Sequence, residues 1–430
     1  MKRLIKNGLV YYQGKFSQQD ILIVGKRISE IAPSINKPAD MVTDATGRHV
    51  FPGFIDMHVH LRDPGQTHKE DIVTGSRAAA RGGFTTICCM PNTEPVVDNA
   101  ATVEYIKRKA NDLGSCKVMV IGALTKKSEG KQIAETAAMI KAGIVAVSDD
   151  GHCVQNAKLK LNAMKYVSSF GLAVITHAED YNLAGKGQIN AGKVSTMLGL
   201  SGMPSLAEDI IVARDILLAK SAKCRLHLAH TSTALSLQMV RVAKEQGLRV
   251  TCEVTPHHLL LTEDACIGFD TNTKVKPPLR TESDRQACIT ALKDGTIDFI
   301  ATDHAPHSDF EKEHEFTLAP YGINGLETAF ISLFDRLVLS EIIPLEFLIE
   351  KMAVKPAEFL GLNRGVIEPG KEADIVIADL TKSTKIDTDN LLSKSKNTPF
   401  LGETFRGTIC ETIADGKTTW KAAPCDNNAG

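Results

Sequence analysis

The sequence predicts an α/β protein: a (β/α)8 TIM-type barrel with a small β-sandwich domain built from both chain termini. Three observations predict it. Eight short apolar runs between residues 54 and 301 are each followed by a stretch of helical character. Residues 1–50 and 360–430 lack that alternation and read as short strands and turns. Histidine or aspartate follows five of the eight apolar runs at equivalent places, and a barrel of this class works at the C-terminal ends of its strands.

Each part follows from its residues. In the N-terminal unit, residues 20–25 and 27–31 read as two strands across a Gly-Lys turn, and no helical period competes. A Pro-Gly break then leads into the first barrel strand at Phe54, which ends in His58-Val59-His60. Further strands are expected over 84–90, 117–122, 144–148, 172–176, 225–229, 249–254 and 297–301. Helices are expected over 75–82, 99–113, 131–142, 158–170, 206–220, 233–246, 282–293 and 326–339. Eight such units favour a closed barrel over an open sheet. Residues 365–378 and 405–414 return to β character, with Asp415-Gly416 as a hairpin turn. The domains are therefore expected to be 1–50 plus 360–430, a small β domain, and 51–359, the barrel. Residues 424–430 are expected to fray.

Composition narrows the function. The 430 residues are 43% hydrophobic and 23% charged, ordinary for a soluble globular protein. A formal net charge of -1 gives no reason to expect nucleic acid or an anionic membrane as partner. No apolar run reaches the roughly 18 residues of a membrane span, and the first residues lack the apolar core of a signal peptide. Ten scattered cysteines without a C-x-x-C pair point to buried thiols in a reducing cytoplasm.

The strand ends carry the chemistry. In a strand, residues i and i+2 point the same way, so His58 and His60 reach one point. Alone, that pair is as easily two satisfied histidines as a metal site. The other strand ends add Asn92, Asp149-Asp150, His177, His230 and Asp303, with His304 and His307 close by. Four histidines and two aspartates exceed what one zinc takes and fit two ions sharing a bridge. One aspartate would bridge; the other would bind one ion and handle protons. His227 lies within its strand and reads as core or as a support behind the site. His257 and His258 read as structural, and His49, His68, His152 and His314 as surface or loop residues.

Together these motifs name a family. Residues 56–65 (Asp-Met-His-Val-His-Leu-Arg-Asp-Pro-Gly), Met90-Pro-Asn-Thr93, His177-Ala-Glu179, Ala229-His-Thr-Ser232, residues 301–307 and residues 321–328 resemble the amidohydrolase superfamily, and within it the bacterial type I dihydroorotases. The likeness runs from the N-terminal β segment to Asn397-Thr-Pro-Phe400. It implies two zinc ions per chain with a bridging hydroxide, one held by His58, His60, Asp150 and Asp303, the other by Asp150, His177 and His230. It implies substrate contacts from His60, Arg62, Asn92 and His307, with the Tyr321-Gly322 backbone closing the pocket. Many relatives bridge the ions with a carboxylated lysine; Asp149-Asp150 stands there instead, as in the aspartate-bridged branch. The family usually has asparagine before Pro277-Pro278, where this chain has Lys276, expected here to contact substrate.

The implied reaction is reversible hydrolysis of dihydroorotate to N-carbamoyl-aspartate in pyrimidine synthesis. Asp303 is the expected proton carrier. The guanidinium of Arg62 suits the exocyclic carboxylate. Another cyclic amidase, such as an allantoinase or a dihydropyrimidinase, is the alternative, and a non-catalytic partner of aspartate carbamoyltransferase is a third reading. A homodimer and an association with aspartate carbamoyltransferase are further expectations.

Overall fold

The computed structural model describes residues 1–423; the expectation for 424–430 lies outside the described residues. Eight parallel strands follow one another in chain order through one sheet: Phe54–Val59, Phe84–Cys89, Lys117–Ala123, Ile144–Ser148, Ala173–Thr176, Arg225–Leu228, Val250–Val254 and Phe299–Ile300. The eighth returns to the first just beyond its end. His304 forms a parallel bridge with Val59, and the His60 N–H donates to the His304 carbonyl at 2.8 Å. Thr302 adds a second stitch, donating from its N–H and its hydroxyl to the Asp56 carboxylate. Burial there pushes the Asp56 carboxyl up to about 6. The sheet is therefore fastened shut beside His58 and His60.

Strands buried on both faces need continuous apolar runs, and every residue of Phe54–Val59 is buried. Phe54 packs between Phe51, Phe84 and Phe330, with ring centroids 5.0–5.6 Å apart. Truncating such a side chain to alanine typically costs about 3–5 kcal/mol. Met57, Cys88, Ile121, Ala146, Ile175 and Phe299 belong to a separate buried cluster drawn from several strands.

Helices Ile72–Arg81, Ala100–Leu113, Ala157–Ser168, Leu206–Ala222, Ala234–Glu245 and Glu282–Lys293 follow their strands as expected. Most begin at a side chain that satisfies free N–H groups: Asp71, Asn99, Asn156, Thr233 and Thr281, each worth about 1 kcal/mol. Two helices differ from expectation. The one expected from 131 starts at Thr136, because Ile133 bridges to Thr125 and Ala134 donates to the Leu124 carbonyl. The one expected from 326 starts at Ala329 and continues in π register over Phe334–Val338.

The terminal strands form a second sheet. Lys2–Tyr12, Lys15–Val24, Arg27–Ala32, Met41–Asp44 and His49–Pro52 join Ile375–Lys385, Thr404–Ala414 and Lys417–Lys421. His49–Pro52 links the two ends, pairing parallel with the first strand and antiparallel with Ile375–Lys385. Ile5, Ile21, Ile23 and Ile28 share one core with Ile375, Ile377 and Ile413, so the sheet curls until its inner faces meet, as in a sandwich. Buried Arg3 and Glu411 pair across it at 2.6 Å. Only Gly53 separates His49–Pro52 from the first barrel strand, so this sheet anchors the strand that carries His58.

Among the described residues no helix is long and apolar enough to cross a membrane. Nine cysteines are described; all are free and all but Cys410 are buried.

Candidate active site and metal centre

The strand ends converge. His58 Nε2 lies 3.3 Å from Asp150 Oδ1 and 3.4 Å from Asp303 Oδ1. His60 Nε2 lies 3.1 Å from Asp303 Oδ1 and 3.5 Å from Asp150 Oδ2. His177 Nδ1 and His230 Nε2 are each 3.9 Å from Asp150 Oδ1 and 2.9 Å from one another. All six side chains named from the sequence thus meet, and all are buried. Asp149, their neighbour, does not join them. Its carboxylate accepts from the Leu124 and Thr125 N–H groups and the Thr125 hydroxyl, leaving Asp150 alone to face the histidines.

These residues fit a divalent cation. Two sets of three donors, His58, His60, Asp303 and His58, Asp150, His230, each place their atoms within 4.8 Å of one another. His58 Nε2 and Asp150 Oδ1 are buried without a hydrogen-bond partner. Leaving such groups unpaired costs about 1–3 kcal/mol each, which a cation between them would offset. Imidazole and carboxylate donors suit a zinc-like ion. Burial, reinforced by His177, pushes His230 down to about 3, the neutral form a metal requires. Burial alone would raise the Asp303 carboxyl, but His58 and His60 hold it well below the usual range. Arg62, His230 and Asp303 all have positive φ, at 57°, 32° and 47°. Side chains seldom adopt that region, and residues held there cluster at functional sites.

Carboxylates and an amide behind the cluster aim the rings. Glu253 Oε1 lies 2.8 Å from His58 Nδ1, which turns His58 Nε2 toward the cluster. Its other oxygen is 3.1 Å from His227 Nε2, and His227 Nδ1 reaches Thr251 at 2.9 Å. Burial would raise Glu253; the two imidazoles bring it to about 2. Glu179 Oε2 lies 3.5 Å from His177 Nε2, and Asn92 Oδ1 2.8 Å from His60 Nδ1. Such partners fix ring orientation and donor strength. Sequence reading left Glu253 and Glu179 without a role. The available signal for Glu253 was a lone carboxylate inside the seventh apolar strand.

A cavity of about 290 Å³ opens over the cluster, lined by His60, Asp150, His177, His230 and Asp303 among others. Arg62, Asn92, Lys276, His307, Tyr321 and Gly322 line it too. Arg62 Nε donates to the Pro306 carbonyl at 3.1 Å, and its NH2 nitrogen is 3.3 Å from His307 Nε2. Gly322 is required for space: a Cβ would fall 2.5 Å from the Ala305 carbonyl oxygen. The tail reaches in as well, with Asn397 Nδ2 donating to the Ala305 and Gly322 carbonyls at 3.0 Å. His152, read as a surface or loop residue, is exposed and also lines the cavity. Lys276 lines the cavity with its ammonium already engaged, 2.8 Å from Glu179 Oε1. His258 is structural, held between Thr255 and the Pro277 carbonyl.

A family model described as dihydro-orotase-like matches residues 47–236. The dihydroorotase of Pelotomaculum thermopropionicum is 48% identical over 420 residues, covering 97% of this chain and 98% of its own. That of Geobacter metallireducens is 49% identical over 424 residues, 98% and 100% of the two chains. Among solved structures, L-hydantoinase (dihydropyrimidinase) from Arthrobacter aurescens matches with a TM-score of 0.88 at 26% identity, covering 97% of this chain and 95% of its own. The dihydropyrimidinase of Brevibacillus agri gives 0.85 at 24% over the same shares, a likeness of fold alone. The hydantoinases share the architecture, but the relatives with nearly half their residues in common are dihydroorotases. The chain belongs to the dihydroorotase family and is a hydrolase of cyclic amide C–N bonds.

Proposed function

We propose that the chain interconverts (S)-dihydroorotate and N-carbamoyl-L-aspartate in pyrimidine biosynthesis, with two zinc ions held at the strand ends. His58, His60, Asp150 and Asp303 would hold one ion, and Asp150, His177 and His230 the other. The observation that carries this reading is the placement of Asp150. Its Oδ2 faces His60 while its Oδ1 faces His58, His177 and His230, so one carboxylate can serve both ions without a carboxylated lysine.

Ions bound there would supply a water of lowered pKa and a Lewis acid for the ring amide carbonyl. The side chains do the rest. Asp303 takes the proton of the attacking water and passes it to the departing ring nitrogen. Arg62, fixed by Pro306 and His307, grips the exocyclic carboxylate of the substrate. Asn92 spends its oxygen on His60 and keeps its NH2 for the substrate. Lys276, neutralised in part by Glu179, contributes from the cavity edge, and the Tyr321-Gly322 backbone closes the pocket. Residues 1–50 with 360–430 act as a supporting β domain to the 51–359 barrel. We further propose that the protein acts in the cytoplasm as a homodimer and can associate with an aspartate carbamoyltransferase, whose product is the substrate of the ring-closing direction.

Purified, zinc-loaded protein assayed with dihydroorotate, dihydrouracil and hydantoin tests the substrate. Turnover of dihydroorotate well above the other two is expected. Equal or faster turnover of dihydrouracil would overturn the reading.

A further inference from the structure

Two lysines are buried beside the cavity with no carboxylate within ion-pair distance among the described residues. Lys274 is 1% exposed and Lys312 6%. The Lys274 ammonium donates instead to three main-chain carbonyls, those of Phe316 at 2.6 Å, Thr317 at 3.2 Å and Ala319 at 2.6 Å. Lys312 Nζ donates to the carbonyls of Pro320 at 2.9 Å and Thr271 at 2.8 Å. Four of these five acceptors lie in one short segment, residues 316–320, which leads directly into Tyr321 and Gly322 on the cavity wall. The Lys274 backbone works on the same segment: its carbonyl accepts the Gly322 N–H at 2.8 Å. Its ammonium also lies 4.6 Å from the Tyr321 ring centroid, within cation–π range.

Burying an ammonium without a counter-charge is costly. Burial pushes Lys274 down to about 8 and Lys312 down to about 7, the latter helped by Lys274. Apolar residues would fill the same space without that cost, but they could not gather carbonyls. Other contacts hold its ends, with Phe316 buried against Ile189, Val194 and Cys266, the Tyr321 hydroxyl on the Gly187 carbonyl and Asn397 on the Gly322 carbonyl. The carbonyls of 316, 317, 319 and 320, however, are gathered by the two lysines. No strand runs through residues 313–322, and the nearest helix, Asp309–Lys312, has four residues.

We propose that Lys274, assisted by Lys312, is a positioning residue that fixes the substrate-facing backbone of Tyr321 and Gly322 by chelating the carbonyls of residues 316–320. Lys274 touches neither the metal ligands nor the substrate. Its work is to keep the pocket wall in its binding shape before substrate arrives, so its loss falls on KM and leaves the chemical step alone. The proposal rests on the cavity being the dihydroorotate site.

The test is Lys274→Met in the full, zinc-loaded protein. Without substrate, hydrogen–deuterium exchange over residues 316–322 should quicken by about 10-fold, the effect of losing roughly one charge-assisted hydrogen bond. Exchange in the helix Ala234–Glu245 should stay unchanged. KM for dihydroorotate should rise by a similar factor, with kcat and metal content held. Exchange that quickens uniformly along the chain, or an unchanged KM, would overturn the proposal. If Lys274→Met does not fold, Lys312→Met takes its place with the same outcomes. Failure of the dihydroorotate reading would show separately, as absent turnover in the unaltered protein.

Discussion

The cavity has two kinds of wall, held by different forces. His60, Asp150, His177, His230 and Asp303 stand at the ends of barrel strands, where the sheet's own hydrogen bonds and the closure at His304 and Val59 set the backbone. Pro320, Tyr321 and Gly322 lie in a segment without strands, held by two lysine ammonium groups, the Asn397 amide and the Tyr321 hydroxyl on the Gly187 carbonyl. Groups that handle metal and protons need fixed mutual distances, and a closed sheet provides them. A substrate-facing wall can be built from loop backbone if side chains pin it. Changes in the first wall should therefore strike turnover or metal content, and changes in the second should strike KM.

The largest effect should come from Asp303→Asn. It should lower kcat by about 10²–10⁴-fold, the range for a general acid–base group, in protein whose zinc content is checked to be intact. Near-normal turnover in fully metallated variant protein would remove Asp303 from proton transfer. Arg62→Met comes next. A charge-assisted bond to a carboxylate is worth about 1.5–3 kcal/mol, so kcat/KM for dihydroorotate should fall roughly 10–150-fold. The residual rate with dihydrouracil should barely change; equal losses on both substrates would make Arg62 a structural residue.

Glu253→Gln probes what stands behind the strand-end wall. Loss of a carboxylate that aims a metal-binding histidine typically weakens metal affinity about 10–100-fold. Competition against a chromogenic chelator would measure this, and an unchanged affinity would show that Glu253 only fills the barrel. Lys276→Ala should have the smallest effect. Its ammonium is already paired with Glu179 and its side chain is 30% exposed, so a rise in KM of roughly 2–5-fold is expected, in line with a solvent-screened pair. A loss above about 30-fold would mean that the ammonium grips substrate as a buried charge does.

The strand-end wall was legible in the sequence and most of its support was not. Eight apolar runs alternating with helices are a local, periodic signal, and the residue after each run falls at the barrel mouth by geometry alone. Asp149 and Asp150 show where that signal stops. They are adjacent and identical in type, and only the Leu124 and Thr125 N–H groups, which donate to Asp149 in three dimensions, separate a loop anchor from a candidate bridge. The pairing of Lys276 with Glu179 joins residues 97 positions apart, and no spacing rule reaches that far. Lys274 sits two residues before Lys276 and reads as another loop lysine until the carbonyls of 316–320 fold around it. The helix expected from 131 starts late for a different reason: Ile133 is taken by an antiparallel bridge back to Thr125 within the same loop, which overrides helix preference there.

The claim at the centre is that Asp150 joins two ions without a carboxylated lysine. Metal analysis of protein reconstituted with zinc in bicarbonate-free buffer tests it most directly. The account predicts close to two zinc ions per chain and full activity, with Asp150→Ala reducing the count and abolishing turnover. A count that stays at one or below in the unaltered protein, or activity that requires bicarbonate, would contradict it.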